Sequence, residues 1–198
     1  GMHVNISLAR GGRNIFAPGA DGAYSPAMRS FIAGVLARAC EICAFTNPVP
    51  GSYARFGSFE APRYVAWSHQ NRSQLIRIPA APAPEYARIE VRMPDVSCNP
   101  YLAFALLLAA GFEGMERKLE LAEETPYDLY TANAGALEAL PASLEEAIAR
   151  AGGSAFVEKV LSADTARKYL ALKQAEQNRW FAARDKEKYQ DEAYFGVL

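Results

Sequence analysis

Polar and aliphatic residues alternate near the start of the chain, and this alternation predicts a β-strand. Across residues 3–8 every second position is polar and the positions between are aliphatic. Because successive side chains of a strand point to opposite faces, one face would be buried and the other wholly polar. That polar face would carry His3, Asn5 and Ser7. The segment therefore predicts a half-buried strand that can present functional groups.

A second alternating segment, residues 88–92, has a charged face. The aliphatic residues alternate with Arg88, Glu90 and Arg92, which would lie together on one side of the strand. An Arg-Glu-Arg row is unusual for a strand surface that only meets water. It suits the floor of an active site, where charged groups act on a ligand.

The remaining periodicity predicts further strands, one long loop and mainly C-terminal helices. Apolar residues recurring every three or four positions indicate helices, and Ser25-Pro26 supplies a capping serine followed by a proline at the first helical position. The predicted strands are 63–68, 74–78 and 87–92, the loop is 47–62, and the helices are 26–45, 100–121, 143–152 and 163–184. Strands precede helices without regular β-α-β alternation. We therefore predict a single α+β domain, residues 1–198, with an antiparallel sheet flanked by helices.

Composition excludes several classes of protein. The net charge of −1 argues against a nucleic-acid partner, and the longest apolar run, from Tyr101 to Phe112, is too short to span a membrane. With three cysteines and no signal peptide preceding the first strand, we expect a cytoplasmic protein. Cys40 and Cys43 fall in a helical apolar pattern, so we interpret them as buried core residues. Cys98 has no catalytic partner nearby and is interpreted as structural.

Arginines are concentrated in one stretch of the chain. Residues 55–92 contain six arginines and no lysine. A guanidinium can bind a carboxylate or phosphate through two parallel hydrogen bonds. With Glu60 and Glu90 among them, these arginines indicate a site for oxyanions and for a metal. The alternative is that base composition favours arginine and that surface ion pairs occupy several of these side chains.

Several short motifs, taken in order, resemble the catalytic domain of glutamine synthetases. They are Asn71-Arg72-Ser73, Ile76-Arg77-Ile78-Pro79, Arg88-Ile89-Glu90-Val91-Arg92, Glu60-Ala61-Pro62 and Asn99-Pro100-Tyr101-Leu102-Ala103. The resemblance implies an antiparallel sheet flanked by helices, an architecture shared with guanidino kinases. It also implies a ligase that phosphorylates glutamate with ATP and lets ammonia displace the phosphate, giving glutamine.

The resemblance assigns roles to individual residues. By position, His3 and Glu90 match metal ligands for Mg²⁺ or Mn²⁺, and Glu60 matches the flap glutamate that takes a proton from ammonium. Arg55 and Arg92 match the arginines that hold the glutamate substrate. The residues matching the ATP and phosphate site are Asn5, Ser7, Arg72, Arg77 and Arg88, of which Arg72 would also act on the phosphoryl group in flight.

Other features of the family's pattern are missing from this chain. In family members, further metal-binding glutamates lie on strands that precede the His3 strand, and a small N-terminal domain comes before the catalytic domain. Gly1 before Met2 is typical of a residue left by tag removal, so we expect the native chain to start at Met2. A homo-oligomer or a partner chain would then supply the missing domain.

Four hypotheses remain open. The chain is the C-terminal part of a glutamine synthetase, a non-catalytic partner or regulator of a full-length synthetase, one half of a split enzyme, or part of a ligase for a related amine or acid. Tyr127-Asp128-Leu129 resembles the loop whose tyrosine is adenylylated in some bacterial family members, although an ordinary loop tyrosine is the alternative.

Overall fold

A computed structural model describes residues 1–58 and 60–195. Its strands are β1 (Val4–Ile6), β2 (Ala9–Arg10), β3 (Arg13–Asn14), β4 (Trp67–His69), β5 (Ile76–Ile78) and β6 (Ile89–Val91). Its α-helices are α1 (Pro26–Thr46), α2 (Pro100–Glu116), α3 (Leu144–Ala151), α4 (Ala155–Leu161), α5 (Ala163–Ala182) and α6 (Lys186–Gln190). Short 3₁₀ helices cover Pro50–Arg55 and Pro84–Tyr86, and a π-helical turn covers Asp191–Phe195. Within these described ranges, every helix is too short or too polar to cross a bilayer.

The main sheet has the order β1-β6-β5-β4. Both pairings of β6 are antiparallel, as the sequence predicts, and β4 pairs with β5 in parallel. The register sets Asn5 and Arg77 on either side of Glu90. Three polar side chains of the predicted site therefore lie in one row across the sheet, with β6 in the middle.

Helices α1 and α2 pack against each other, and their buried residues share one core with those of the main sheet. The Ser25 hydroxyl accepts a hydrogen bond from the Met28 amide, and Pro26 begins α1, so the predicted capping of this helix is confirmed. The two helices approach closely at Gly34 and Gly114, where a Cβ on Gly114 would lie 2.7 Å from the Gly34 Cα. This contact allows no side chain at either glycine and fixes the two helices against each other.

The element boundaries differ from the sequence prediction in a few places. The strands are shorter than predicted, and α2 ends at Glu116 rather than near residue 121 because Lys118 adopts a left-handed conformation with φ of 50°. The short helix α4 was not predicted. The predicted loop 47–62 begins with the 3₁₀ helix Pro50–Arg55, and its residue 59 lies outside the described residues.

All three cysteines are buried, which confirms the prediction for Cys40 and Cys43. Burial raises the pKa of Cys40 and Cys43 to about 12 and that of Cys98 to about 11. These thiols therefore stay protonated near neutral pH, which fits their interpretation as core residues.

Candidate active site

Glu90 lies at the centre of the charged cluster. It belongs to β6, and its side chain is only 8% exposed. One carboxylate oxygen lies 2.5 Å from the Arg77 Nε and 3.1 Å from the Arg92 Nη1. Burial alone would raise the pKa of Glu90, but the hydrogen bond from Arg77 and the nearby arginine charges hold it below its ordinary value. This carboxylate is therefore ionised at neutral pH.

His3 reaches the same carboxylate from the segment just before β1. Its Nδ1 lies 3.3 Å from the other oxygen of Glu90 and 3.3 Å from the Arg92 Nη1. Burial and the positive charge of Arg92 lower the pKa of His3, although Glu90 acts in the opposite direction. The imidazole is thus neutral at pH 7, the form that can accept a hydrogen bond from Arg92 or bind a metal.

Arg92 is the most deeply buried of the site arginines, since 1% of its side chain is exposed. Besides its bond to Glu90, it donates to the carbonyl oxygens of Glu60 at 2.9 Å and Arg72 at 3.1 Å. The strand face predicted to present this arginine to a ligand is therefore closed over in this conformation. Arg92 therefore connects Glu90 of β6 to the backbone at Glu60 and at Arg72.

Glu60 and Arg72 form an exposed ion pair next to Arg92. The Arg72 Nη1 lies 3.0 Å from a Glu60 carboxylate oxygen, and the two side chains are 61% and 52% exposed, respectively. The hydrogen bond from Arg72 lowers the pKa of Glu60 below its ordinary value. Glu60 has a φ of 61°, a left-handed backbone conformation that is uncommon for any residue but glycine. The pair therefore lies on the exposed side of the charged cluster.

Three residues predicted to contact the nucleotide, Asn5, Ser7 and Arg88, lie next to this cluster, on or beside β1 and β6. The Arg88 Nε lies 3.3 Å from the Asn5 Oδ1. Asn5 and Ser7, both exposed, line a groove of about 320 Å³ with apolar side chains of α2. The structure thus connects Asn5 to Arg88 and, through the strand register, to Glu90.

Arg55 is held in a separate group of contacts. Its Nε lies 3.1 Å from the Asp95 carboxylate, and its Nη2 donates to the Asn47 Oδ1 at 2.6 Å and to the Met93 carbonyl oxygen. The side chain is 14% exposed. In this conformation Arg55 is engaged by the protein itself, so binding a substrate carboxylate would require it to exchange partners.

Sequence reasoning missed one residue of the site, Tyr130. Its hydroxyl oxygen lies 3.2 Å from the carbonyl oxygen of Arg72 and 3.3 Å from that of Ala61, the residue after Glu60. These contacts join residues 58 and 69 positions apart in the chain. The local sequence around this tyrosine carries no pattern that indicates them.

Comparisons with known proteins agree on one family. The family model described as glutamine synthetase, catalytic domain, matches residues 1–191. A glutamine synthetase from Methanosarcina mazei is 42% identical over 189 residues, which are 92% of this chain and 42% of that protein. A glutamine synthetase from Thermotoga maritima is 45% identical over 155 residues, which are 75% of this chain and 35% of that protein.

A solved structure, described as a complex of GmaS with ADP, shares the fold. It superposes with a TM-score of 0.81 at 25% sequence identity. The match covers 98% of this chain and 46% of that chain. The chain therefore spans less than half the length of the relatives it matches here.

Proposed function

This chain belongs to the glutamine synthetase catalytic-domain family, and we propose that it forms the arginine-rich part of an active site that ligates ammonia to glutamate with cleavage of ATP. The convergence of Arg72, Arg77 and Arg92 on two carboxylates supports this proposal most strongly. During phosphoryl transfer, negative charge is spread over the oxygens of the transferring group, and fixed cations stabilise it.

Arg72 is the arginine best placed to bind the γ-phosphate of ATP. Its side chain is largely exposed, and its partner Glu60 is a single carboxylate at the surface. A phosphate carries more negative charge than a carboxylate and accepts bidentate hydrogen bonds, so it can displace Glu60 from the guanidinium. Arg77 lies on β5, the strand next to β6, and adds positive charge to the same cluster through its contact with Glu90.

Displacement of Glu60 would also prepare it to act as a base. While Arg72 donates to it, the pKa of Glu60 is held low and its carboxylate is a weak proton acceptor. When phosphate takes over Arg72, the pKa of Glu60 rises toward its ordinary value. The carboxylate can then accept a proton from ammonium as the nitrogen attacks the glutamyl phosphate.

His3 and Glu90 would hold the divalent metal. A neutral imidazole nitrogen and an ionised carboxylate, 3.3 Å apart, form a mixed donor set suited to Mn²⁺ or Mg²⁺. A bound metal would supply Lewis-acid stabilisation of the phosphate oxygens. In the part of the chain that the structure describes, no group of three or more His, Cys, Asp or Glu side chains forms a fuller metal site. Water or another polypeptide would complete the coordination.

A partner chain or a further copy of this chain fits the free surface beside β1. Strand β1 is at the edge of the main sheet. The neighbouring helix α2 exposes three large apolar side chains, those of Tyr101, Phe104 and Phe112. An open strand edge next to apolar surface favours association. We therefore expect assembly, as a homo-oligomer or with a different partner chain.

A second candidate function is a non-catalytic partner or regulator of a full-length synthetase. The observation that favours it is the paired state of the substrate arginines, since Arg55 and Arg92 are bound to protein groups. The two proposals differ in whether the assembled protein, with its partner, turns over substrate, since the chain alone should be nearly inactive under both.

Calorimetry of ATP binding at low salt tests the proposed phosphate site. We expect wild-type protein to bind ATP, and Arg77→Ala to weaken binding by roughly ten- to a hundredfold, the effect of losing a charged hydrogen bond. Raising the salt concentration should weaken wild-type binding as well. Arg167→Ala is the matched control because Arg167 is 77% exposed on α5 and pairs with Asp164.

Two results would contradict this assignment. One is an affinity of the Arg77→Ala protein equal to that of wild type. The other is the absence of ATP binding by folded wild-type protein at low salt.

A further inference from the structure

Tyr130 contacts both segments that carry the exposed ion pair. Its hydroxyl lies within hydrogen-bond distance of the carbonyl oxygens of Arg72 and Ala61, and Ala61 directly follows Glu60. One side chain therefore bridges the turn that carries Glu60 and the loop that carries Arg72. We propose that Tyr130 is a positioning residue that keeps Glu60 and Arg72 in register for phosphate binding. This inference rests on the proposed function for the roles of those two residues.

The loop that carries Tyr130 is itself anchored to the protein. The buried Gln74 side chain donates to the carbonyl oxygens of Thr125 at 2.7 Å and Tyr127 at 2.9 Å. The Ser73 hydroxyl accepts from the Leu129 amide at 2.9 Å. These three bonds hold residues 125–129, just before the tyrosine, and come from the two residues that follow Arg72. The hydroxyl therefore projects from a fixed base, which a positioning residue requires.

The turn that carries Glu60 needs support from outside itself. Glu60 adopts a left-handed conformation that costs free energy for a residue with a side chain. Within the turn, the Gly57 amide donates to the Ala61 carbonyl at 3.1 Å, and the Ala61 amide donates to that of Ser58 at 2.8 Å. Contacts from elsewhere in the chain hold the strained backbone in place.

Arg92 and Tyr130 supply those external contacts. Arg92 donates to the carbonyl of Glu60 and to that of Arg72, and Tyr130 reaches the carbonyls of Ala61 and Arg72. The two residues thus make the same bridge from the buried and the exposed side. Arg92 also bonds Glu90, whereas Tyr130 is 37% exposed and its hydroxyl contacts only backbone carbonyls. Tyr130 can therefore be altered without removing a buried charge.

Hydrogen exchange tests the contact itself in the full 198-residue protein. The variant is Tyr130→Phe, and the matched control is Tyr127→Phe, which removes a hydroxyl from an exposed tyrosine of the same loop. Losing one neutral hydrogen bond should speed exchange of the Gly57 and Ala61 amides by roughly three- to tenfold. Tyr127→Phe should leave these amides unchanged. Equal exchange rates in both variants would overturn the proposal.

A double-mutant cycle on ATP affinity tests the positioning role. Tyr130→Phe should weaken ATP binding in the wild-type background and have no further effect when Arg72 is already alanine, because the tyrosine would act through Arg72. An equal loss in both backgrounds would show a merely structural effect and overturn the proposal. If wild-type protein binds no ATP, the proposed function fails, and the exchange rates alone decide whether Tyr130 holds the Glu60 turn.

Discussion

Replacing Arg92 with methionine should lower the free energy of unfolding by about 3–5 kcal/mol, the cost of removing one member of a buried charge pair. Methionine fills similar space but cannot donate to Glu90 or to the carbonyls of Glu60 and Arg72. The Glu90 carboxylate would stay buried with one arginine fewer. Two backbone acceptors would also lose a donor.

Urea denaturation followed by circular dichroism measures this loss. The matched control is Arg88→Met, four residues earlier in the same segment, because Arg88 is partly exposed and bonds Asn5 and the Tyr86 carbonyl rather than Glu90. We expect the control to change stability by less than about 1 kcal/mol. A loss of stability for Arg92→Met no larger than that of the control would show that the buried contacts of Arg92 do not stabilise the protein.

Purified chain, assayed alone, should form γ-glutamyl hydroxamate at less than about one hundredth of the rate of the Methanosarcina mazei glutamine synthetase. Misplacing a reacting group by about 1 Å can reduce a rate by on the order of a hundredfold. At this site the described residues bring together two metal-type ligands, His3 and Glu90, and no group of three. The metal, the arginines and the glutamate would therefore lack full alignment.

The assay contains Mn²⁺, ATP, glutamate and hydroxylamine, and Glu60→Ala serves as the control for background. A rate comparable to that of the relative, abolished by Glu60→Ala, would contradict this prediction. It would also exclude the non-catalytic candidate, because it would show that these residues suffice for turnover.

Local sequence patterns predicted those strands and helix ends that are specified by a few neighbouring residues. Alternation located β1 and β6, and the Ser25-Pro26 cap located the start of α1. Pairing of β6 with both neighbours explains why the predicted polar rows of β1 and β6 meet, since antiparallel register aligns Asn5 with Glu90. The contact between His3 and Glu90 follows from the same pairing.

Features that depend on distant residues could not be predicted in this way. The near-complete burial of Arg92 depends on carbonyls 20 and 32 residues away in the chain. The bridge by Tyr130 depends on a loop with no regular secondary structure, which periodicity does not describe. The parallel pairing of β4 and β5 is likewise set by the path of the connecting segment.

A crystal structure of this chain grown with ATP and Mn²⁺ would show whether these residues bind the metal and the nucleotide. We expect an anomalous manganese peak at about 2.0–2.6 Å from a His3 ring nitrogen and a Glu90 oxygen. We also expect ATP phosphate oxygens at hydrogen-bond distance from Arg72 and Arg77, with Glu60 displaced from Arg72. Phosphates bound away from these arginines, with the Glu60–Arg72 pair intact, would contradict this expectation.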